Sequence, residues 1–343
     1  MKKVLFATSA LVLSAGFASA EVAVSGDGRM GVIYDGNDAQ FSSRARVRFT
    51  LTGESDAGLS FGGAFRVDQE NYSDYPDSLR SAARGTAGAV WVSGTYGKLS
   101  MGDVVSASEN AIGDLYEVGY TDGTFGNDIE EISYLTGDGE NLDQGPSILY
   151  EYTFENFSVF ASASDGVNTS GPAITGRGDA VFDEDGAFIG YETDVDTAST
   201  AWNIAAKYEA DNFWVALGYA KHDDADEVVL GAEGTFNNFS VKGVYSKYGD
   251  RYSAFGDDGT ATEEYDQSYG IALAYQMDAI LIEGFYRRDE YNGLVDGVSD
   301  SDYDSFGIGA EYDLGGGAVL AGGIIDSDFM DDTVADLGVK FKF

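Results

Sequence analysis

Apolar and polar residues alternate along this chain in segments of about ten residues, and the alternation runs to the terminal Phe343. From Ser43 to Thr52, Ala45, Val47, Phe49 and Leu51 fall on one face, while Arg44, Arg46, Arg48, Thr50 and Thr52 fall on the other. The same dyad recurs in Ile148, Tyr150, Tyr152, Phe154, in Trp202, Ile204, Ala206, Tyr208, and in Tyr269, Ile271, Leu273, Tyr275. It returns in Phe306, Ile308, Ala310, Tyr312, Leu314, and closes with Leu337, Val339, Phe341 and Phe343 set against Lys340 and Lys342. Successive side chains of a strand point to opposite sides of the sheet, so each segment predicts a strand with one oily and one wet face. Their length matches the ~9–11 residues of a tilted strand that crosses a bilayer. Pro76, Pro146 and Pro172 all lie between the segments, as expected of strands paired on both sides.

The connections alternate between short and long. Short turns fall at Glu54-Ser55-Asp56-Ala57, Thr95-Tyr96-Gly97, Glu155-Asn156, Ala210-Asp211-Asn212, Asn237-Asn238, Met277-Asp278-Ala279 and Gly315-Gly316-Gly317. Asn, Asp and Gly tolerate the positive φ that tight hairpins demand. Longer polar stretches lie near 35–42, 68–85, 103–146, 165–199, 222–227, 249–266, 289–302 and 326–332. These connections join sixteen strands, with both chain ends on the short-turn rim. The expected fold is all-β: a 16-stranded antiparallel transmembrane β-barrel, its short turns at one rim and its long loops at the other. Leu59 to Val67, Ala87 to Val92 and Ala318 to Ile325 are too rich in Gly and Ala for the pattern to assign a face. Aromatics gather beside the turns at Tyr96, Phe154, Phe157, Phe213, Trp214, Phe236, Phe239, Tyr312 and Phe343, which suits rings with one dry and one wet end.

Residues Met1 to Ala20 read as an export signal cleaved after Ala20. Lys2 and Lys3 start it, Val4 to Leu13 is apolar, and Ala18-Ser19-Ala20 is the small-residue cleavage site. That apolar stretch is far shorter than the ~20 residues of a spanning helix, and no later run is longer. A membrane role then requires a closed barrel, the other structure that satisfies every backbone polar group in lipid. Residues 21–343 show no linker or shift in composition and are read as one domain.

Charge changes the picture of partners. There are 59 Asp plus Glu against 20 Lys plus Arg, a formal charge of −39, and loss of Lys2 and Lys3 makes it more negative. Such a field repels nucleic acid and draws cations. Disorder is excluded by the 43% of hydrophobic and 13% of aromatic residues. The absence of Cys removes disulfides and thiolate chemistry.

The sharpest constellation is Arg44, Arg46 and Arg48, alternate residues that stand ~7 Å apart on one face. Facing lipid, each would cost ~2–4 kcal/mol near the midplane, so in a barrel they point into the lumen. Arg29 and Arg66 join them by the parity of neighbouring strands. The opposite sign comes from the third long loop, 103–146. No Lys or Arg occurs from Leu99 to Gly176, and the loop carries Glu109, Asp114, Glu117, Asp122, Asp128, Glu130 and Glu131, then Asp138, Glu140 and Asp143. Ser106 and Glu109 have capping-box spacing, with Ile112, Leu115 and Tyr116 as an apolar face behind them. Unstructured loops of such length are usually functional, and this one is expected to fold inward as the constriction. Basic wall against acidic loop sets a transverse field that selects polar solutes. Acidic pieces at Asp183-Glu184-Asp185-Gly186, Asp223 to Glu227 and Asp257-Asp258-Gly259 make calcium the one ligand ion to consider, although none has EF-hand spacing. No catalytic constellation is evident, since His222 is the single histidine.

The export signal, the dyad strands, the Gly97-Lys98-Leu99-Ser100-Met101-Gly102-Asp103 stretch before the third loop and the terminal aromatic together resemble the general bacterial porins. The start Glu21-Val22-Ala23-Val24-Ser25-Gly26-Asp27-Gly28-Arg29-Met30-Gly31 is similar to that of alphaproteobacterial, Rhodobacter-type porins. The resemblance implies an outer-membrane homotrimer among lipids and lipopolysaccharide, with an infolded third loop and a terminal Phe that serves barrel assembly. Expected function is passive diffusion of small hydrophilic solutes and ions with mild cation preference, and no enzyme activity. A substrate-specific channel is the alternative, but the aromatics mostly share the apolar parity. A barrel enzyme would rest on His222 alone, and a secreted calcium-dependent β-module would expose its oily faces as one patch.

Overall fold

The computed structural model describes residues 21–71, 88–123, 128–136, 147–164, 173–182, 188–196, 200–254, 261–294, 299–330 and 333–343. The export signal, the three prolines and the acidic pieces at 183–186 and 257–259 lie outside them. Alternation has produced strands throughout: β1 (Glu21–Tyr34), β2 (Ala39–Glu54), β3 (Ser60–Asn71), β4 (Ala89–Gly94) and β5 (Gly97–Gly102) precede a short helix, α1 (Ala107–Ile112). After it come β6 (Ser147–Phe154), β7 (Phe157–Ser164), β8 (Ala173–Phe182), β9 (Phe188–Asp196), β10 (Ala201–Glu209), β11 (Phe213–His222) and β12 (Ala225–Phe236). The last are β13 (Phe239–Gly249), β14 (Tyr252–Ala254), β15 (Ala261–Met277), β16 (Ile280–Gly293), β17 (Ser301–Gly315), β18 (Ala318–Ser327) and β19 (Val334–Lys342).

Three of these stand apart from the ring. Strand β7 pairs directly with β10, which leaves the β8–β9 hairpin outside, and β14 pairs with β15 beyond the reach of β13. The other sixteen form a closed antiparallel barrel. Closure runs from Asp27 opposite Lys342 to Tyr34 opposite Ala335. Phe343 and Gly26 then exchange N–H···O bonds of 2.9 and 2.8 Å, so the seam has no free edge there.

The outer face is the oily one. Ile204, Leu273 and Ile308 are 51, 52 and 57% exposed, whereas the interleaved Asn203, Ala272 and Ser305 are fully buried. Burial on the inside needs a cause, because a wide barrel leaves its inner wall wet. The main core cluster supplies it: Ala107, Ile112, Leu115 and Val118 of the third loop pack on Ala205, Ala216, Val229, Val244, Ala272 and Phe285 of the wall. Outside, rings meet around the short-turn rim, Phe157 on Tyr208 at 4.9 Å, Tyr208 on Phe213 at 6.0 Å and Phe239 on Tyr275 at 4.4 Å.

Two expectations are corrected. Residues 222–227 are no long loop: His222 pairs with Ala225 across a two-residue turn with Asp223 at φ 52°. The acidic run continues as strand because Glu227 is buried, accepting from Leu135 N–H and Ser246 Oγ, both at 2.8 Å. Trp214 is no girdle residue. It alternates with the outward Phe213 and Val215 and so faces the lumen.

Candidate functional site

The third loop enters the barrel through α1. Ser106 Oγ accepts the Glu109 N–H at 3.3 Å, as the capping-box spacing predicted, and Gly113 at φ 65° ends the helix. Leu115 and Tyr116 therefore lie beyond α1, not on its face. Ala107 N–H donates to Ser162 Oγ at 2.9 Å, and Ser108 Oγ donates to Asn203 Oδ1 at 2.8 Å.

From there the chain crosses the inner wall toward β19 and β1 over a track of glycines. Ser108 sits on Gly218, Ile112 on Gly231, Leu115 on Gly270, Val118 on Gly307, Gly119 on Gly309 and Gly323, and Tyr120 on Gly338 and Gly31. A Cβ at Gly231 would stand 2.5 Å from Ile112, and one at Gly270 2.5 Å from Leu115. The wall accepts the loop because these side chains are missing, the close approach that a strand glycine permits.

Residues 128–136 return above this lane. Arg287 donates to Ile129 O at 3.1 Å and to Glu131 O, and Arg251 donates to Ser133 O at 2.6 Å. At the end of the return, Asn203 Nδ2 donates to Thr136 Oγ1 at 3.0 Å, so Asn203 holds both lanes. The lanes are also tied to each other: Leu115 N–H donates to Glu130 O at 3.2 Å, Ile132 N–H to Asp114 Oδ1 at 2.7 Å and Tyr134 OH to Gly113 O at 3.1 Å.

This packing sorts seven of the loop acids, while Asp138, Glu140 and Asp143 lie outside the described residues. Glu117 and Glu131 are exposed to the lumen, and Glu109, Asp122 and Asp128 are partly so. Asp114 is spent on the tie to Ile132, and burial pushes its carboxyl up against the pull of that N–H, Lys242 and Arg287. Glu130 is 1% exposed and sits against Gly123. Desolvation, with Asp128, Glu117 and Glu131 nearby, pushes its carboxyl up to about 9, so it is neutral at pH 7. Enclosure by the barrel, then Asp122, pushes Glu117 up to about 7, with Lys340 opposing. Asp122 itself is held by Lys340 Nζ at 2.6 Å.

Among the contacts described, the lanes of the loop leave the inner face of β2 and β3 bare, and there the arginines stand. Register places Arg29 opposite Arg44, Arg46 between Asp27 and Asp68, and Arg48 opposite Arg66. Like charges facing across strands repel, and two acids that sequence reading missed relieve this. Arg44 pairs with Asp27 at 3.3 Å, while Arg46 and Arg66 share Asp68 at 2.9 and 3.1 Å. Among the described residues no carboxylate pairs with Arg48, which is exposed. Arg29 is drawn away from the group: it is 3% exposed, donates to Thr121 O and lies 4.0 Å from Asp122. The sequence signal for Asp27 is its luminal parity, whereas Asp68 belongs to the polar stretch 68–85, whose first residues continue β3.

Other functional side chains were hidden to sequence reading because they lie far along the chain. Asp336 of β19 accepts from the Tyr120 and Thr121 N–H groups at 3.1 and 2.9 Å, from Thr121 Oγ1 at 2.5 Å and from Gly323 N–H at 2.9 Å. Trp214 donates to Glu233 Oε2 at 3.1 Å beneath the loop, Tyr116 OH donates to Glu233 Oε1 at 3.0 Å, and Lys207 lies 4.3 Å from the indole centre. His222 is 9% exposed on the inner face rather than solvated at the rim.

Comparison with known proteins agrees with this geometry. The family described as Gram-negative porin matches residues 7–332. A porin of Rhodobacter capsulatus is 38% identical, covering 94% of this chain and 100% of that protein. A porin of Fuscovulum blasticum is 26% identical over the same shares of the two chains. Among solved structures, a porin refined at 1.8 Å is 35% identical and superposes with a TM-score of 0.72, covering 94% of this chain and 100% of that one. A closed sixteen-stranded barrel, oily outside, with a charged lumen and a loop laid along its inner wall, thus coincides with full-length likeness: the chain belongs to the Gram-negative porin family and is an outer-membrane channel, not an enzyme.

Proposed function

We propose that small hydrophilic solutes and ions diffuse passively through an eyelet between the third loop and the β1–β3 wall, with a mild preference for cations. One observation carries the reading: Arg44, Arg46, Arg48 and Arg66 occupy the arc of wall that the loop leaves bare, while Glu117 and Glu131 are exposed on the loop. A field then crosses the water between them. Polar solutes align with it, and apolar ones must disrupt ordered water. The sign of the preference follows from the formal charge of −39 and from Asp27 and Asp68, which offset two of the four charges of the basic arc. Reversal potentials of the purified protein in a planar bilayer under a salt gradient test this. Arg46→Ala should strengthen cation preference, and no shift in any of Arg44→Ala, Arg46→Ala or Arg48→Ala would refute a luminal cluster.

The same reading includes assembly. A homotrimer and cleavage after Ala20 are proposed with it, to be checked by the mass of the native assembly and of the mature chain. Lipopolysaccharide is the proposed neighbour of the long-loop rim. Outward Tyr245, Tyr269 and Tyr286 stand below a polar patch in which Arg288 pairs with Asp302, Asp304 and Glu290 at 2.5, 2.9 and 3.3 Å. Calcium stays in the proposal only through the acidic pieces outside the described residues, since no group of three metal-binding side chains occurs among the described ones. A titration flat at millimolar calcium would remove it.

A further inference from the structure

We propose that Asp336 is the positioning residue for permeation: its carboxylate pins the tip of the third loop to the β18–β19–β1 wall and thereby sets the free width of the eyelet. The inference rests on the loop being the constriction. After α1 the outgoing lane has no helix or strand of its own as far as Thr121, so its backbone donors must find acceptors elsewhere. At the tip a single side chain meets two of them and a hydroxyl. Asp336 Oδ1 accepts the Tyr120 N–H, and Oδ2 accepts both the N–H and the hydroxyl of Thr121. Its fourth partner, the Gly323 N–H, belongs to the wall and fixes the carboxylate in place. Gly119, at φ 89°, allows this approach, since a Cβ there would lie 2.6 Å from Asp336 Oδ2.

The neighbouring charges cannot substitute. Arg29 and Lys340 are donors, and they are engaged with Thr121 O and Asp122. An asparagine at 336 would turn an NH2 group toward N–H donors, so its shape would be retained and its acceptor capacity halved. Loss of the carboxylate therefore leaves the end of the lane farthest from α1 tied only through Thr121 O and Asp122, where the Asn203 and Ser162 bonds do not reach.

Single-channel recording of the purified full chain tests the assignment. Asp336→Asn should conduct more than the parent protein and with several-fold greater open-channel noise, while the heat-modifiable gel shift of the folded barrel stays where it was. A merely structural role would lower that unfolding temperature and leave the surviving channels at parental conductance and noise, which overturns the proposal. Should Asp336→Asn not insert, the Thr121→Cys, Asp336→Cys pair decides: quiet when oxidised and noisy when reduced supports the pin, and no response to reductant refutes it. Replacing residues 107–136 by a short Gly-Ser linker separates the two levels. Unchanged conductance there defeats the constriction itself, whereas raised conductance there with a parental Asp336→Asn defeats the pin alone.

Discussion

At the scale of single residues, neighbours decide which charges a passing ion feels. Arg44, Arg46 and Arg66 are offset by Asp27 and Asp68, so Arg48 should dominate the basic side although all four share one inner face. One unit charge about 8 Å from the path in water is worth ~0.5 kcal/mol, with opposite signs for anion and cation. Arg48→Ala should therefore raise the cation-to-anion permeability ratio roughly two- to fivefold, and Arg44→Ala less. Asp68→Asn should move it the other way, since it releases two guanidinium groups at once. A shift for Arg44→Ala larger than that for Arg48→Ala would contradict this ranking. Glu117 adds a pH dependence. Its carboxyl, pushed up to about 7, gains charge as pH rises through that value, so cation preference should climb between about pH 6 and 8 and climb less in Glu117→Gln.

Among the elements, the third loop and the wall beneath it form one packed unit. The three atoms nearest a Cβ added at Gly231 all belong to Ile112, at 2.5, 3.0 and 3.2 Å, so Gly231→Val should lift α1 and make the channel noisy without unfolding the barrel. Ile112→Ala in the same chain should quieten it again, and failure of that rescue would mean the groove is not what seats the helix. Burial of Glu130 ties docking to pH. Its carboxyl holds a proton up to about 9 when docked, against an ordinary value of 4.5. Docking is therefore strongest below 4.5, weakens as pH rises, and loses the whole contribution above about 9. Open-channel noise should grow on the alkaline side, and Glu130→Gln should flatten that rise. Part of this unit was legible in advance. Ser106 and Glu109 announced the cap, but the glycines of β11 to β19 carried no sign of what would lie on them. Their meaning lay in a partner more than a hundred residues away.

Taken whole, the molecule is an inside-out arrangement whose oily surface faces lipid and whose core lies between wall and loop. Nitroxide probes at Leu273 and Ile308 should report acyl chains, while a probe at Ala272 should not, and equal contact at all three would disprove the faces. Parity of two along each strand determined this division from the sequence alone, because the sheet gives a side chain no third direction. Turn chemistry and loop length likewise placed the strands and the two rims. What parity leaves open is which luminal residues meet water. Arg29 and Glu130 looked equivalent to Arg48 and Glu117 along the chain, yet the packed loop buries the first two and leaves the others wet. That choice follows from contacts between segments distant in sequence, the loop on the β10–β19 wall and Asp336 on the tip, which only the closed barrel brings within hydrogen-bonding range.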